Sequence, residues 1–148
     1  MRIVIAGMGD VGFHLARQLS SEEYDIISID IDKNKLARVD AYSDVLTVAG
    51  SSDSINTLLN ARVKGAELVV AVTASEETNI TTAIIAKQLG AKKTIARISN
   101  AEYVDVESPV DFKSVGVDYM IYPEELAAIE TVKLIERSAA TDVLDFVN

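Results

Sequence analysis

The sequence predicts an α/β protein in which a doubly wound parallel sheet of about six strands carries helices on both faces. Three observations lead to this fold class. Apolar runs of strand length alternate with segments whose apolar residues repeat at helical spacing. The connections between them are short, as in consecutive βαβ units. The chain has 148 residues, 49% of them hydrophobic, which suits one domain with a substantial core.

The strands are predicted at residues 3–6, 24–30, 44–48, 67–73, 94–98 and 118–121. The run at 67–73 is the most apolar and is expected in the middle of the sheet. A helix is expected after each strand except the fifth, where residues 100–116 are irregular and contain Pro109. The third helix is expected to bury Ile55, Leu58 and Leu59. The fourth is expected to bury Ile80, Ala83, Ile84, Ala86 and Leu89.

The first strand runs into Gly7-x-Gly9-x-x-Gly12, and a helix follows, with Val11, Leu15, Ala16 and Leu19 at helical spacing. In this strand–turn–helix setting each glycine has its own task. Gly7 permits the tight turn, Gly9 lets the backbone approach a pyrophosphate, and Gly12 lets the helix pack on the strand. The phosphates would face free N–H groups at the positive end of the helix dipole. The motif therefore predicts a Rossmann-like nucleotide-binding domain.

Asp30 ends the second strand, about twenty residues beyond the glycines, where a carboxylate meets the hydroxyls of an adenine ribose. An acid there repels a 2′-phosphate and favours NAD over NADP. Asp32, which directly precedes a helix, is expected to cap it.

Other candidate residues stand at the carboxyl ends of the remaining strands, where ligands of open α/β sheets bind. Gly50 can let the chain approach the adenine, and Thr73 and Ala74 can contact the adenosine. Arg97 suits either a phosphate or a salt bridge to one of the many acids, and the sequence leaves both open. Asp10 is expected to point outward or to cap the first helix.

Several classes of function are disfavoured by composition. The formal net charge of −9 argues against nucleic acid and against direct docking on an anionic membrane. The absence of cysteine fits a cytoplasmic setting and excludes disulfides and thiolate metal sites. The acids show no metal-ligand pattern, and the single histidine, His14, lacks an orienting partner, so it is expected to be structural. Glu76 and Glu77 are expected to stabilise a helix N-terminus.

With these residues laid out, the chain resembles the nucleotide-binding domain, of KTN or RCK type, of Trk and Ktr potassium-uptake regulators (the TrkA N-terminal domain). The motifs that carry the resemblance are the glycine loop and Asp30, the Thr-x-x-x-Glu-x-Asn run at residues 73–79, and the Ala-Arg-Ile strand at residues 96–98. The resemblance implies a cofactor site for NAD(H), with ATP or ADP as further ligands. The implied site residues are Gly7, Met8, Gly9, Asp10, Val11, Gly12, Asp30, Ile31, Gly50, Ser51, Thr73, Ala74 and Arg97.

The resemblance also implies a regulatory role without catalysis. Nucleotide binding would rearrange the subunits of a homodimer or higher homo-oligomer and so gate a membrane potassium transporter. The protein would be cytoplasmic and held at the inner face of the membrane through the transporter subunit. The implied organisation is a nucleotide-binding domain at residues 1–122 and a crossover, dimerisation helix at 123–138. Residues 139–148 would begin a following segment of a longer protein, with a frayed tail as the alternative.

The alternative function is the NAD-binding part of a dehydrogenase that lacks its substrate domain. A catalytic histidine, lysine or Ser–Tyr–Lys set would favour it, and the sequence shows none. Binding is therefore preferred to turnover.

Overall fold

The computed structural model describes residues 1–123 and residue 135. Its strands are β1 (Arg2–Ala6), β2 (Asp25–Asp30), β3 (Leu46–Ala49), β4 (Leu68–Ala71), β5 (Lys93–Arg97) and β6 (Tyr119–Ile121). Its helices are α1 (Asp10–Ser20), α2 (Lys33–Tyr42), α3 (Ile55–Asn60) and α4 (Glu76–Gln88), with a 3-10 helix at Ala101–Val104.

The six strands form one parallel sheet in the order β3-β2-β1-β4-β5-β6. The chain moves outward from β1 to β3 and returns to β4 on the other side of β1. This reversal is the topological switch point at which open α/β sheets bind ligands. The predicted fold class is confirmed, as is the prediction that β4 lies in the middle of the sheet, where it pairs with β1 and β5.

Helices cover both faces of the sheet. On one face Phe13 and Ala16 of α1 and Leu36 and Val39 of α2 pack on alternate side chains of the strands. On the other face α3 and α4 contribute Leu58 and Ala86 to a second buried cluster. Alternation along buried parallel strands thus gives buried apolar clusters on both faces of the sheet.

The predicted burial of α3 is wrong for two of its three residues. Ile55 and Leu59 are 56% and 50% exposed, whereas Leu58 is buried. The helix has six residues and starts at Ile55, after its cap Ser54, so one narrow stripe of it meets the sheet. Thr57 occupies the second inward position because it packs beneath the loop at Gly50.

Smaller differences occur at other elements. In α1 the apolar repeat predicted from Val11 is wrong at its start, since Val11 is 44% exposed and Phe13 is buried instead. In α4 Ala83 and Ala86 are buried as predicted, while Ile80, Ile84 and Leu89 are half-buried.

Two predictions concern the C-terminal part of the chain. The predicted helix at 123–138 and the segment at 139–148 lie outside the described residues, apart from residues 123 and 135. Within the described part of the chain, no helix is long and apolar enough to cross a bilayer.

Candidate nucleotide-binding site

A cavity of about 380 Å³ opens at the carboxyl ends of the strands, above the switch point between β1 and β4. All but two of the predicted site residues line it: Gly7, Gly9, Asp10, Val11, Asp30, Ile31, Gly50, Ser51, Thr73, Ala74 and Arg97. The two exceptions, Met8 and Gly12, are buried behind the wall. Residues from five strand ends or loops therefore meet at one place, as parallel topology requires.

Gly7 makes the turn from β1 into the cavity. Its φ is +100°, in the region that favours glycine, and its N–H donates to the carbonyl of Ile29 at 2.8 Å. A Cβ at this position would lie 2.8 Å from the backbone nitrogen of Thr73. The turn thus brings the loop against the ends of both β2 and β4 with no space for a side chain.

Gly9 and Gly12 differ in what surrounds them. A Cβ on Gly12 would lie 1.7 Å from the carbonyl oxygen of Gly7, so this glycine lets α1 pack against the turn. A Cβ on Gly9 would have no atom within 4 Å, because Gly9 faces the open cavity. The close packing expected at Gly12 is thus observed, whereas the approach of a ligand to Gly9 stays a prediction for which the space is present.

The N-terminus of α1 points free donors at this cavity. Within residues 1–123, the N–H groups of Gly9, Asp10, Val11 and Gly12 donate to no other protein group. Free N–H groups and the helix dipole together attract anions. Of the two alternatives for Asp10, capping is excluded because the N-cap is Gly9 and Asp10 is the first helical residue, and the outward position agrees with its exposure. Asp10 is exposed at the mouth of the cavity.

Asp30 lines the same cavity from the end of β2, the strand that pairs with β1. One carboxylate oxygen accepts from the Met8 N–H at 2.7 Å, and the other accepts from the Asp32 N–H at 2.8 Å. The carbonyl of Asp30 accepts from the Gly50 N–H at 3.0 Å. A carboxylate has about four acceptor positions, so each oxygen keeps one for a ligand hydroxyl. Asp32 caps α2 as predicted, by accepting from the Asn34 N–H at 2.8 Å.

The family model of the TrkA-N domain matches residues 3–123. This chain belongs to the TrkA-N family. The Trk system potassium uptake protein TrkA homolog of Archaeoglobus fulgidus is 38% identical over 146 residues, covering 99% of this chain and 33% of that protein. The homolog of the same name from Methanothermobacter thermautotrophicus is 34% identical over 144 residues, which cover 97% of this chain and 64% of that protein. The chain therefore spans about a third of the first relative and less than two thirds of the second.

Solved structures with the same fold include other TrkA-N and RCK domains. The TrkA-N domain of the inner membrane protein ybaL from Escherichia coli superposes with a TM-score of 0.76 at 16% identity, covering 90% of this chain and 95% of that one. The GsuK channel bound to NAD superposes with a TM-score of 0.66 at 16% identity, covering 81% of this chain and 21% of that one. GsuK has also been solved bound to ADP, with a TM-score of 0.65. At these identities the likeness shows the shared fold.

Two cations and two acids reach the cavity of this TrkA-N domain. Arg97 is half-buried and, among the described residues, forms no ion pair, so the salt bridge considered for it is not found in that part of the chain. Lys35, in the first turn of α2, is exposed and also lines the cavity. Together with Asp10 and Asp30 they leave the wall without a net charge of either sign.

Sequence reasoning missed part of the TrkA-N cavity wall, which also includes Ile29, Lys35, Ser52, Val72, Ser75 and Thr78. Lys35 could have been found from the Asp32 cap, which places it in the first turn beside the end of β2. His14 is exposed and edge-on to Phe13, and it does not line the cavity. Within the described residues no cluster of three or more histidine, aspartate or glutamate side chains could hold a metal ion.

Proposed function

We propose that this TrkA-N domain binds an adenine nucleotide, NAD(H) or ATP/ADP, in the cavity and serves as a regulatory part of a potassium-uptake system. The observation that carries the proposal is that the Asp30 carboxylate and the free N–H groups of α1 line the same cavity, with Asp30 held beside the glycine loop by the Met8 N–H. A diphosphate linked to a ribose is complementary to this arrangement, because its anion accepts from N–H groups and its pair of hydroxyls donates to a carboxylate.

In this proposal the diphosphate lies over Gly9 and accepts from the N-terminal N–H groups of α1. The ribose hydroxyls donate to the free acceptor positions of Asp30. Arg97, which has no ion pair within residues 1–123, is available to a phosphate of the ligand. No group of the chain is assigned to catalysis, so the ligand is bound and released unchanged.

Regulation follows if the nucleotide prefers one arrangement of subunits. A ligand shifts a conformational equilibrium only by its differential affinity for the two states. We propose a homodimer or larger homo-oligomer that acts on a membrane potassium transporter from the cytoplasmic side. The relatives named as Trk potassium uptake proteins support this assignment, as does the fold shared with the GsuK channel bound to NAD.

The first test is calorimetric titration of the chain with NADH, NAD, ATP and ADP, using an Asp30→Asn variant. Asparagine keeps an acceptor but loses the charge, so affinity for the preferred nucleotide should fall about 10- to 100-fold. Asp40→Asn is the matched control, since Asp40 is exposed on α2 and does not line the cavity. NADPH should bind more weakly than NADH to the wild type, and Asp30→Asn should narrow that difference.

Melting curves without ligand distinguish lost binding from lost folding. If none of the four nucleotides binds a folded wild-type chain, the nucleotide proposal is wrong. If Asp30→Asn and Asp40→Asn bind equally well, Asp30 is not the ribose contact. The regulatory part is tested in the whole protein with its transporter, where Asp30→Asn should abolish the response of potassium uptake to nucleotide.

A further inference from the structure

Asn79, in the first turn of α4, is 1% exposed and uses all of its hydrogen-bonding capacity. Its Oδ1 accepts from the backbone N–H of Thr73 at 2.9 Å and from the Thr73 hydroxyl at 2.6 Å. Its Nδ2 donates to the carbonyls of Thr73 and of Arg97, each at 3.0 Å. An amide side chain offers two acceptor positions and two donors, and here all four have protein partners.

These bonds lie where the β4–β5 ladder stops. The last paired residues of the two strands are Ala71 and Ala96. Beyond Ala71 the chain turns toward α4, whereas β5 continues to Arg97, which pairs with Ile121 of β6 on its other side. Backbone groups that lose their ladder partner need another one when they are buried. Asn79 supplies it to Thr73 and Arg97 at once and so joins the two strand ends.

Glu76, the first residue of α4, also bonds to backbone close to Arg97. Its Oε1 accepts from the N–H groups of Ser99 and Asn100 at 3.1 and 2.8 Å. The N-terminus of α4 therefore holds the chain at the Arg97 carbonyl, through Asn79, and again two and three residues later, through Glu76. The role expected for Glu76, to stabilise the helix dipole, accounts for its place in the first turn but not for these two bonds.

We infer that Asn79 is the positioning residue of the nucleotide site, because it fixes the backbone of Arg97 against Thr73 so that both face the ligand. The inference rests on the proposed nucleotide binding. Thr73 and Arg97 line the cavity, whereas the Asn79 side chain lies behind its wall and does not touch a ligand there. Because the wall is already fixed in the free protein, its residues lose less conformational entropy when the ligand binds, and the affinity is higher.

The decisive variant is Asn79→Asp, which has nearly the same shape. Its carboxylate still accepts from the Thr73 N–H, but the second oxygen faces the carbonyls of Thr73 and Arg97 and donates to neither. Calorimetry should show a loss of affinity of about tenfold or more for the nucleotide that binds the wild type best.

A control variant must lose buried hydrogen bonds without touching the cavity. Thr94→Val does so, because buried Thr94 lies at the amino end of β5, where its hydroxyl donates to the Gly116 carbonyl and accepts from the Asp118 N–H at 3.1 Å. Thr94→Val should melt at a lower temperature and bind nucleotide as the wild type does. Asn79→Asp should bind nucleotide more weakly than Thr94→Val when both variants are measured well below their melting temperatures.

A double-mutant cycle with Arg97→Met separates positioning from a general loss of stability. If Asn79 acts through Arg97, Asn79→Asp should cost much less affinity in the Arg97→Met background. An undiminished cost there, or wild-type affinity in Asn79→Asp, would overturn the inference while leaving nucleotide binding intact. Failure of the wild type to bind would instead defeat the proposed function.

Should Asn79→Asp not fold, Glu76→Ala tests the same wall through a less buried residue. It should weaken binding by a few-fold, since two backbone donors beside Arg97 lose their acceptor. Unchanged affinity in Glu76→Ala would then contradict the inference.

Discussion

The two ends of the sheet use polar side chains in different ways. At the amino ends, Lys87 pairs with Asp118 at 2.8 Å, and Asp118 also accepts from the Thr94 N–H. At the carboxyl ends, Asp30 and Asn79 bond to backbone groups of neighbouring loops instead. Both ion pairs found within the described residues lie at the amino end, whereas at the carboxyl end polar side chains shape a concave wall.

This difference supports the proposal that the carboxyl end binds a ligand, while the amino end contributes stability. The carboxyl end leaves the N–H groups of α1 without a protein acceptor and Arg97 without an ion pair, within the part of the chain that is described. Natural sequences tolerate such unsatisfied groups chiefly at functional sites. Substitutions at the amino end should therefore change stability alone, while those at the carboxyl end should also change binding.

The largest effect is expected for Gly12→Ala, at the carboxyl end. The added Cβ would meet the carbonyl oxygen of Gly7 at 1.7 Å, and this backbone atom cannot move without displacing the glycine loop. Overpacking of this kind costs about 3 kcal/mol, which corresponds to a fall in Tm of roughly 10 °C. Thermal melting measures the loss, and titration of the folded fraction should show weakened nucleotide binding.

Gly9→Ala is the matched control for that experiment. Gly9 has space for a Cβ and an ordinary φ of −69°, so the unfolding free energy should change by about 1 kcal/mol or less. Nucleotide affinity should nevertheless fall, because the new methyl group occupies the cavity. Wild-type affinity in Gly9→Ala would mean that no ligand approaches the backbone at this point.

Much of the carboxyl end could be predicted from the sequence. The glycine spacing and Asp30 depend on backbone geometry shared by all βαβ units of this kind, so their positions follow from local pattern. Asn79 could not be assigned from pattern, since a polar residue in a helix is expected at the surface and its partners depend on how β4 and β5 separate.

The errors in α3 have a similar physical origin. Periodicity predicts which residues share a helix face, but a helix of six residues has too few turns to define that face. Here the position of Thr57 beneath Gly50 sets the rotation of the helix, and that contact joins residues on different elements. Tertiary contacts of this type leave no periodic signal in the sequence.

A moderate effect is expected for Asp118→Asn, at the amino end. Burial acts to raise the pKa of Asp118, but the hydrogen bonds from Lys87 and Thr94 and the charges of Lys87 and Lys93 outweigh it and hold the pKa below its usual value of 3.8. Because the folded-state pKa is lowered, the carboxylate contributes stability above pH 3.8 and loses it as the pH falls through the folded-state pKa.

Chemical denaturation at several pH values checks this assignment. Asp118→Asn should lower the free energy of unfolding by about 1–3 kcal/mol at pH 7. The difference from wild type should stay constant down to about pH 5 and shrink below about pH 4. Nucleotide affinity should not change, because Asp118 lies at the other end of the sheet from the cavity. A changed affinity would show that the two ends are coupled.

The smallest effect is expected at the second ion pair of the amino end, between Lys92 and Glu67 at 2.8 Å. Its side chains are 60% and 40% exposed, whereas Lys87 and Asp118 are 31% and 6% exposed. The hydrogen bond from Lys92 lowers the pKa of Glu67, but water and salt screen a pair in this position. Lys92→Met should leave Tm unchanged at physiological salt, with a small decrease at low ionic strength, while the same substitution at Lys87 lowers Tm at both. Equal losses at the two lysines would mean that burial does not decide what an ion pair contributes at this end of the sheet.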